Sequence, residues 1–263
     1  FGMNSKVGRA GIEKVFDDSL RGWRGGEQIE VDARGQKVQI LSDRKPEPGS
    51  DITLTLDLEF QKKIMEMIQG LHASVAVLDL ETDGLLAMAS APAYDPNIFV
   101  SPATSEQRLQ VLRDANAPML DRMINAAYPP GSIFKLVTAL AALDLGRITP
   151  QTRFHCNGSF KLSPKAKPAR CWLHEGHGSL NLYEALERSC NVYFYNLAKK
   201  LTPDEIAHYA HELGLGEPLK VEISRMAPGL IPDSAWKKNR FNQPWYQGET
   251  LNMAIGQGYM LVT

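Results

Sequence analysis

The spacing of apolar positions changes repeatedly along this chain, and each change marks an element. Val15, Phe16 and Leu20 form a short amphipathic stretch that Arg21-Gly22-Trp23-Arg24-Gly25-Gly26 interrupts. Residues 28–32 and 36–41 then alternate around Ala33-Arg34-Gly35, the pattern of a small hairpin. Pro46, Pro48 and Gly49 make residues 44–50 a linker by composition. Residues 52–56 read as a strand and residues 58–69 as a helix, with Leu58, Ile64, Met65, Met67 and Ile68 apolar. Residues 75–80 and 85–89 predict a hairpin across Glu81-Thr82-Asp83-Gly84, because Asp-Gly suits the left-handed backbone of a tight turn. Residues 101–115 are polar, a surface helix or loop. Residues 133–145 are apolar on nearly every face, which predicts a helix buried in the core of a large domain. Residues 151–177 are polar and loop-rich. Asn181-Leu182-Tyr183-Glu184 is spaced as a capping box and opens a helix that ends near Ser189-Cys190-Asn191; a further apolar helix runs through Leu201. Short strands mixed with longer helices predict an α+β fold with one antiparallel sheet flanked by helices.

Chemistry enters at the start of the most apolar helix. Pro129, Pro130 and Gly131 form a stiff turn that places Ser132 at the helix tip, and Lys135 follows three positions later on the same face. A hydroxyl is a weak nucleophile and needs a base within hydrogen-bond reach. A desolvated lysine can serve, since burial lowers an amine's pKa. The free N–H groups of a helix N-terminus can hold an oxyanion. Ser-x-x-Lys alone is a weak signal, and Ser132 could simply cap the helix. The same spacing occurs at Ser42/Lys45, in a polar stretch, and at Ser234/Lys237, where only Trp236 is large and apolar. Only Ser132 joins a rigid turn to an apolar helix.

Tyr128-Pro129-Pro130-Gly131-Ser132-Ile133-Phe134-Lys135 resembles the first active-site motif of the penicillin-binding transpeptidases. Ser189-Cys190-Asn191 resembles their second. Asp51-Ile52-Thr53-Leu54-Thr55-Leu56-Asp57 with Gln61 resembles the opening of their catalytic domain, and Leu86 to Pro92 with Tyr94-Asp95-Pro96-Asn97 its early strand and loop. Gln243-Pro244-Trp245-Tyr246, Gly248-Glu249-Thr250 and Ala254-Ile255-Gly256-Gln257-Gly258 resemble the elongation-type members, the class B penicillin-binding proteins 2. The resemblance implies the serine transpeptidase fold over residues 51–263, with residues 1–50 the end of a non-catalytic pedestal domain. It implies Ser132 as acylated nucleophile, Lys135 as general base, Ser189 as proton relay, and Asn191 as the group orienting the lysine and the substrate amide. The substrate would be the D-Ala-D-Ala end of a peptidoglycan stem peptide, and β-lactams would acylate the same serine. The expected partners are a SEDS-type glycosyltransferase and elongation scaffold proteins. The expected location is the periplasm, on an inner-membrane anchor helix N-terminal to this chain. A third motif, Lys-Thr-Gly or Lys-Ser-Gly on an inner strand, does not occur in the 263 residues, so they are expected to be a poor catalyst alone.

The three cysteines carry a separate expectation. Cys156, Cys171 and Cys190, with His177 between the last two, lack zinc-finger spacing. A Cys156–Cys171 disulfide with Cys190 buried would suit an oxidising compartment. Three thiolates and one imidazole are also a complete tetrahedral set for structural zinc, and the long polar loop needs a staple. Some elongation-type penicillin-binding proteins 2 resemble the chain here, with a metal at matching positions. Zinc on Cys156, Cys171, His177 and Cys190 is therefore the expectation. His174-Glu175-Gly176-His177 is one residue short of the zincin motif, so its two imidazoles would not share a helix face.

Composition narrows the rest. A net charge of −1 leaves no electrostatic footprint for nucleic acid. Two other classes fit a Ser-x-x-Lys fold: a β-lactam sensor, acylated once, and a β-lactamase. The sensor reading accounts for neither the pedestal remnant nor the long stretch from 101 to 127. A class A β-lactamase needs a further glutamate-bearing loop to activate the deacylating water; the sequence shows no clear counterpart, which leaves only Glu222 and Glu249 to be checked.

Overall fold

The computed structural model describes residues 7–100, 104–218, 223 and 226–263. They fall into two compact units whose boundary lies between Asn125 and Ala126, with Met226–Thr263 in the second.

In the first unit, helices α1 (Gly11–Val15) and α2 (Asp17–Arg21) precede strands β1 (Gly26–Val31) and β2 (Lys37–Arg44). These strands pair antiparallel, Gly26 opposite Arg44, around a turn in which Asp32 accepts from Arg34 N and Gln36 N. Helix α3 (Leu58–Met67) is capped by Asp57, which accepts from Phe60 N at 2.8 Å. It packs Ile64, Met65 and Ile68 against Ala89 and Ala91 of the second hairpin, β3 (Ala73–Leu78) and β4 (Leu85–Ala91). Residues 52–56 are not a strand. They reach β4 only at its start, through Thr55 Oγ1 to Leu85 O and Asp57 N to Leu86 O. The next position of that edge is taken by the Gln61 amide, which bonds Met88 O and N, both at 2.7 Å, so the edge is satisfied without another ladder. Helix α4 (Ser105–Arg113) carries a capping box between Thr104 and Gln107, while residues 101–103 lie outside the described set.

The second unit is built on helix α5 (Lys135–Asp144), which a 3-10 turn, Gly131–Phe134, leads into. Four short strands follow: β5 (Phe154–Cys156), β6 (Ser159–Phe160), β7 (Ala169–Arg170) and β8 (Gly178–Leu180), pairing β5 with β8 and β6 with β7. The strands of the described residues thus form separate antiparallel pairs, where the sequence reading expected one sheet. Helix α6 (Leu182–Glu187) starts at the expected capping box of Asn181 and Glu184. Helices α7 (Asn191–Ala198), α8 (Pro203–Glu212), α9 (Ser234–Phe241) and α10 (Gln247–Met253) complete the unit. The core holds Phe134, Ala141, Ala142, Phe194, Leu197, Ile206 and Ala210, all at most 1% exposed.

Helix α5 corrects one expectation. It is not buried all round: Ile133, Leu136 and Leu140 are exposed along one face. The packed face carries Val137, Thr138, Ala141 and Ala142, whose small side chains let α7 and α8 approach, while the larger residues point outward. An apolar composition does not by itself decide which face finds a partner.

Beneath the α5 tip runs the chain after α10. Gly131 N donates to Gly256 O at 2.9 Å, and Thr138 Oγ1 to Ala254 O at 3.0 Å. Gly256 has φ +70°, and a Cβ there would sit 2.2 Å from Gly131 O, so only glycine permits this strap.

Candidate active site and metal centre

The turn into α5 and the junction between α6 and α7 bring four side chains together. Ser132 lies in the 3-10 turn, among the first amides of a helical run, which helix geometry leaves without internal partners. Lys135 is the first residue of α5 and only 1% exposed. Its Nζ donates to Ser189 O at 2.8 Å, Ser189 Oγ at 2.9 Å and Asn191 Oδ1 at 2.8 Å. Ser189 Oγ lies 3.0 Å from Ser132 Oγ. Among the hydrogen bonds of the described residues, Lys135 and Ser132 are therefore joined through Ser189 and not directly, which the three-residue spacing alone did not foresee.

No carboxylate pairs with Lys135 among the described residues, and its ammonium is held by neutral acceptors. Burial pushes its pKa down to about 8, against an opposing pull from Cys171 and Cys190. An amine so placed gives up its proton around pH 8, well below the ordinary lysine range.

Ser189 occupies its place at a cost. Its φ is +48°, left-handed backbone that a non-glycine residue adopts at about 1–2 kcal/mol. The bonds Ser189 N to Leu186 O and Cys190 N to Ala185 O close α6 around it. Ser189→Gly should relieve that strain and keep the thermal midpoint within a few degrees of wild type, yet cut the rate of serine acylation by about 10²-fold or more by removing the relay. Measuring both on one preparation separates a relay from a helix stop: a variant that acylates normally leaves Ser189 with only the structural role.

The two other Ser-x-x-Lys pairs are disposed of by their surroundings. Ser42 and Lys45 lie at and just past the end of exposed β2. Ser234 Oγ donates to Asp204, and buried Lys237 pairs with Glu249. Glu249 is committed a second time, accepting from Tyr246 N at 2.8 Å, which leaves it unsuited to activate a water. Glu222 lies outside the described residues.

Next to these groups, the loop of β5–β8 brings Cys156, Cys171, His177 and Cys190 together, with all ligand atoms within 4.8 Å of one another. No disulfide joins the cysteines; all three are free and buried. His177 Nδ1 is 3.6 Å from both Cys156 Sγ and Cys171 Sγ. Zinc bonds of about 2.3 Å to sulfur and about 2.0–2.1 Å to nitrogen in a tetrahedron put sulfur and nitrogen about 3.5–3.6 Å apart, so the set fits the metal. Burial keeps the His177 imidazole below its usual pKa, neutral as a ligand must be. Burial pushes the Cys171 thiol up, but N–H groups of Val192, Leu173 and Asn191 outweigh it and hold the thiol below its usual value. The loop closes backbone on backbone at two glycines with positive φ: a Cβ on Gly158 would lie 1.9 Å from His174 O, and one on Gly176 2.3 Å from Cys156 O. His174 is not in the cluster. Arg170 O, beside Cys171, accepts from Asn191 Nδ2 at 3.5 Å, which links the loop to the Lys135 site.

Helices α8, α9 and α10 lie beyond the elements that the sequence predicts, although Thr202-Pro203-Asp204-Glu205 carries both a capping box and a proline at the first helical turn. Gly256 sits between Ile255 and Gln257, and nothing local names Gly131 as its partner.

A serine at a helix tip, joined through Ser189 to a buried lysine that pairs with no carboxylate among the described residues, is an arrangement suited to acyl transfer. Residues 73–263 match the family model for the penicillin binding protein transpeptidase domain, and residues 1–54 that for the penicillin-binding protein dimerisation domain. The chain belongs to the penicillin-binding protein transpeptidase family. It is similar to the peptidoglycan D,D-transpeptidase MrdA of Escherichia coli K12, 38% identical over 257 residues, covering 98% of this chain and 41% of that protein. Among solved structures it is similar to penicillin-binding protein 2 of Helicobacter pylori in complex with MreC, with TM-score 0.86 and 34% identity over 98% of this chain and 48% of that one. It is also similar to Pseudomonas aeruginosa PBP2 in complex with WCK 5153, with TM-score 0.82 and 33% identity over 98% of this chain and 53% of that one. The chain thus spans about 41% of the curated relative's length.

Proposed function

We propose that this chain carries the acylating half of a peptidoglycan D,D-transpeptidase that cross-links stem peptides during elongation. The observation that carries the reading is the unbroken path Ser132–Ser189–Lys135–Asn191, with no carboxylate on the lysine among the described residues. With Lys135 neutral, its two N–H groups serve Ser189 O and Asn191 Oδ1, and its lone pair faces Ser189 Oγ. Ser132 Oγ attacks the carbonyl carbon of the penultimate D-Ala. The Ser132 proton passes to Ser189 Oγ as the Ser189 proton passes to Lys135. Ser132 N–H donates to the oxyanion. Collapse breaks the C–N bond, and the proton returns along the same path to the departing D-Ala amine. An amine of a neighbouring stem then attacks the ester carbonyl and gives a proton to Lys135; the ester C–O bond breaks, and the proton reaches Ser132 Oγ through Ser189.

Zinc on Cys156, Cys171, His177 and Cys190 belongs to this reading as a structural ion. Four protein ligands close the shell, so it supplies a staple and no Lewis-acid chemistry. Cys190 stands between Ser189 and Asn191, so its ligation fixes both. The wider setting follows the relatives. Scaffold proteins such as MreC and a SEDS-type glycosyltransferase are the proposed partners, and the periplasmic face of the inner membrane the proposed location. Among the described residues no helix is long and apolar enough to cross a membrane.

Benzylpenicillin supplies the test. The full-length protein that carries this chain should gain the mass of one β-lactam, keep it for hours, and release D-alanine from a D-Ala-D-Ala pentapeptide. Loss of the adduct within minutes would indicate a β-lactamase. A stable adduct without D-alanine release would indicate a sensor.

A further inference from the structure

A cavity of about 270 Å³ lies in the second unit, lined by Pro232, Trp245, Glu249, Asn252, Gln257 and Tyr259 among others. Two of its lining residues, Trp245 and Tyr259, are rings held in place by neighbours outside the cavity or by a hydrogen bond. Tyr259 stands 5.2 Å from Trp236 and 5.4 Å from Phe241, centroid to centroid. Trp245 is fixed by its indole N–H on Thr250 Oγ1 at 2.9 Å. Preformed aromatic walls cost a ligand little ordering.

The polar lining states the ligand's charge. Glu249 is the acidic group among the lining residues, and it is already compensated by Lys237 and the Tyr246 amide. Lys237 in turn lies over the Tyr246 ring at 4.5 Å. Neither an anion nor a cation is called for. The side-chain amides of Asn252 and Gln257 are exposed and make no side-chain hydrogen bond among the described residues. A carboxamide offers two donors and an acceptor at once. Vicinal hydroxyls and acetamido groups, each donor and acceptor together, complement it, and a pyranose ring presents an apolar face to an aromatic wall.

We propose that this cavity binds a neutral N-acetylamino sugar of the glycan strand, a subsite for the carbohydrate part of the substrate and separate from Ser132. The inference rests on the transpeptidase reading for the identity of the polymer, not for the chemistry of the cavity.

The probe is chitotetraose, a β-1,4-linked N-acetylglucosamine tetramer that carries no peptide. Calorimetric titration of the full-length protein that carries this chain should give saturable binding. Tyr259→Ala and Asn252→Ala should each weaken it at least tenfold, while Tyr183→Ala, an exposed tyrosine outside the cavity, should match wild type. Thermal unfolding of each variant establishes that it is folded; Asn252, at the surface, keeps the test informative if Tyr259→Ala unfolds. No saturable binding by wild type, or equal binding by the folded cavity variants, overturns the proposal. So does displacement of the sugar by a free stem peptide. Protein that benzylpenicillin acylates but chitotetraose does not bind sinks the sugar site alone. Failure to be acylated sinks the transpeptidase reading instead.

Discussion

Lys135→Arg should lower the rate of acylation by benzylpenicillin by about 10²–10⁴-fold, the usual worth of a positioned general base. Arginine keeps the positive charge and can donate to Ser189 and Asn191, but it does not release a proton in the working range. Charge pairing alone would therefore survive the substitution, and base catalysis would not. The wild-type pH profile gives an independent reading. Lys135 has its pKa depressed by burial to about 8, so the neutral, competent form is lost as pH falls through that value. Acylation should level off above about pH 8 and fall roughly tenfold per unit below it. The linkage to stability has the same origin. Between the folded value of about 8 and the unfolded value of 10.5 the unfolded chain holds more protons, so stability should rise with pH across that window. A pH-independent acylation rate from pH 6 to 9, or an arginine variant at near wild-type rate, is incompatible with Lys135 as the base.

The second large effect concerns the metal. Protein purified without chelator should carry one equivalent of zinc, and Cys171→Ala should carry less than a tenth of that. Losing one of four ligands leaves two buried thiols and an imidazole without their common partner, within a loop that has little apolar mass of its own. The thermal midpoint should fall by several degrees, since metal binding contributes directly to the fold of such a segment. Acylation should fall with it, because Cys190 lies between Ser189 and Asn191 and Arg170 O holds the Asn191 amide. Elemental analysis with mass spectrometry under non-reducing conditions checks this. Sub-stoichiometric zinc together with a Cys156–Cys171 cross-link would remove the metal from the account.

What could be read along the chain depended on the range of the forces involved. The α6 capping box, the turn at Asp83-Gly84 and the hairpin around Asp32 are set by residues within a few positions of each other, and all are found close to where the sequence places them. The four residues Ser132, Lys135, Ser189 and Asn191 meet as the motifs imply. The resemblance implied Ser189 as the relay, but the Ser132/Lys135 spacing alone did not, because the left-handed backbone of Ser189 that puts its hydroxyl between Ser132 and Lys135 is set by the closing of α6. The stretch 52–56 alternates like a strand but is not one, and the Gln61 side chain takes the Met88 position of that edge. The exposed face of α5 was misjudged as well. Hydrophobicity sets the wish for burial, and small residues such as Ala141 and Ala142 decide which face obtains it. The Lys237–Glu249 pair had no local signature at all, because its partners come from two helices.

Peptide mapping of the benzylpenicillin adduct distinguishes Ser132 from every other serine as the nucleophile. After acylation at pH 8 and proteolysis, one modified peptide is expected, the one containing Ser132, and no adduct on protein carrying Ser132→Ala. An adduct on Ser189 or Ser234, or equal labelling of the Ser132→Ala protein, would contradict this assignment.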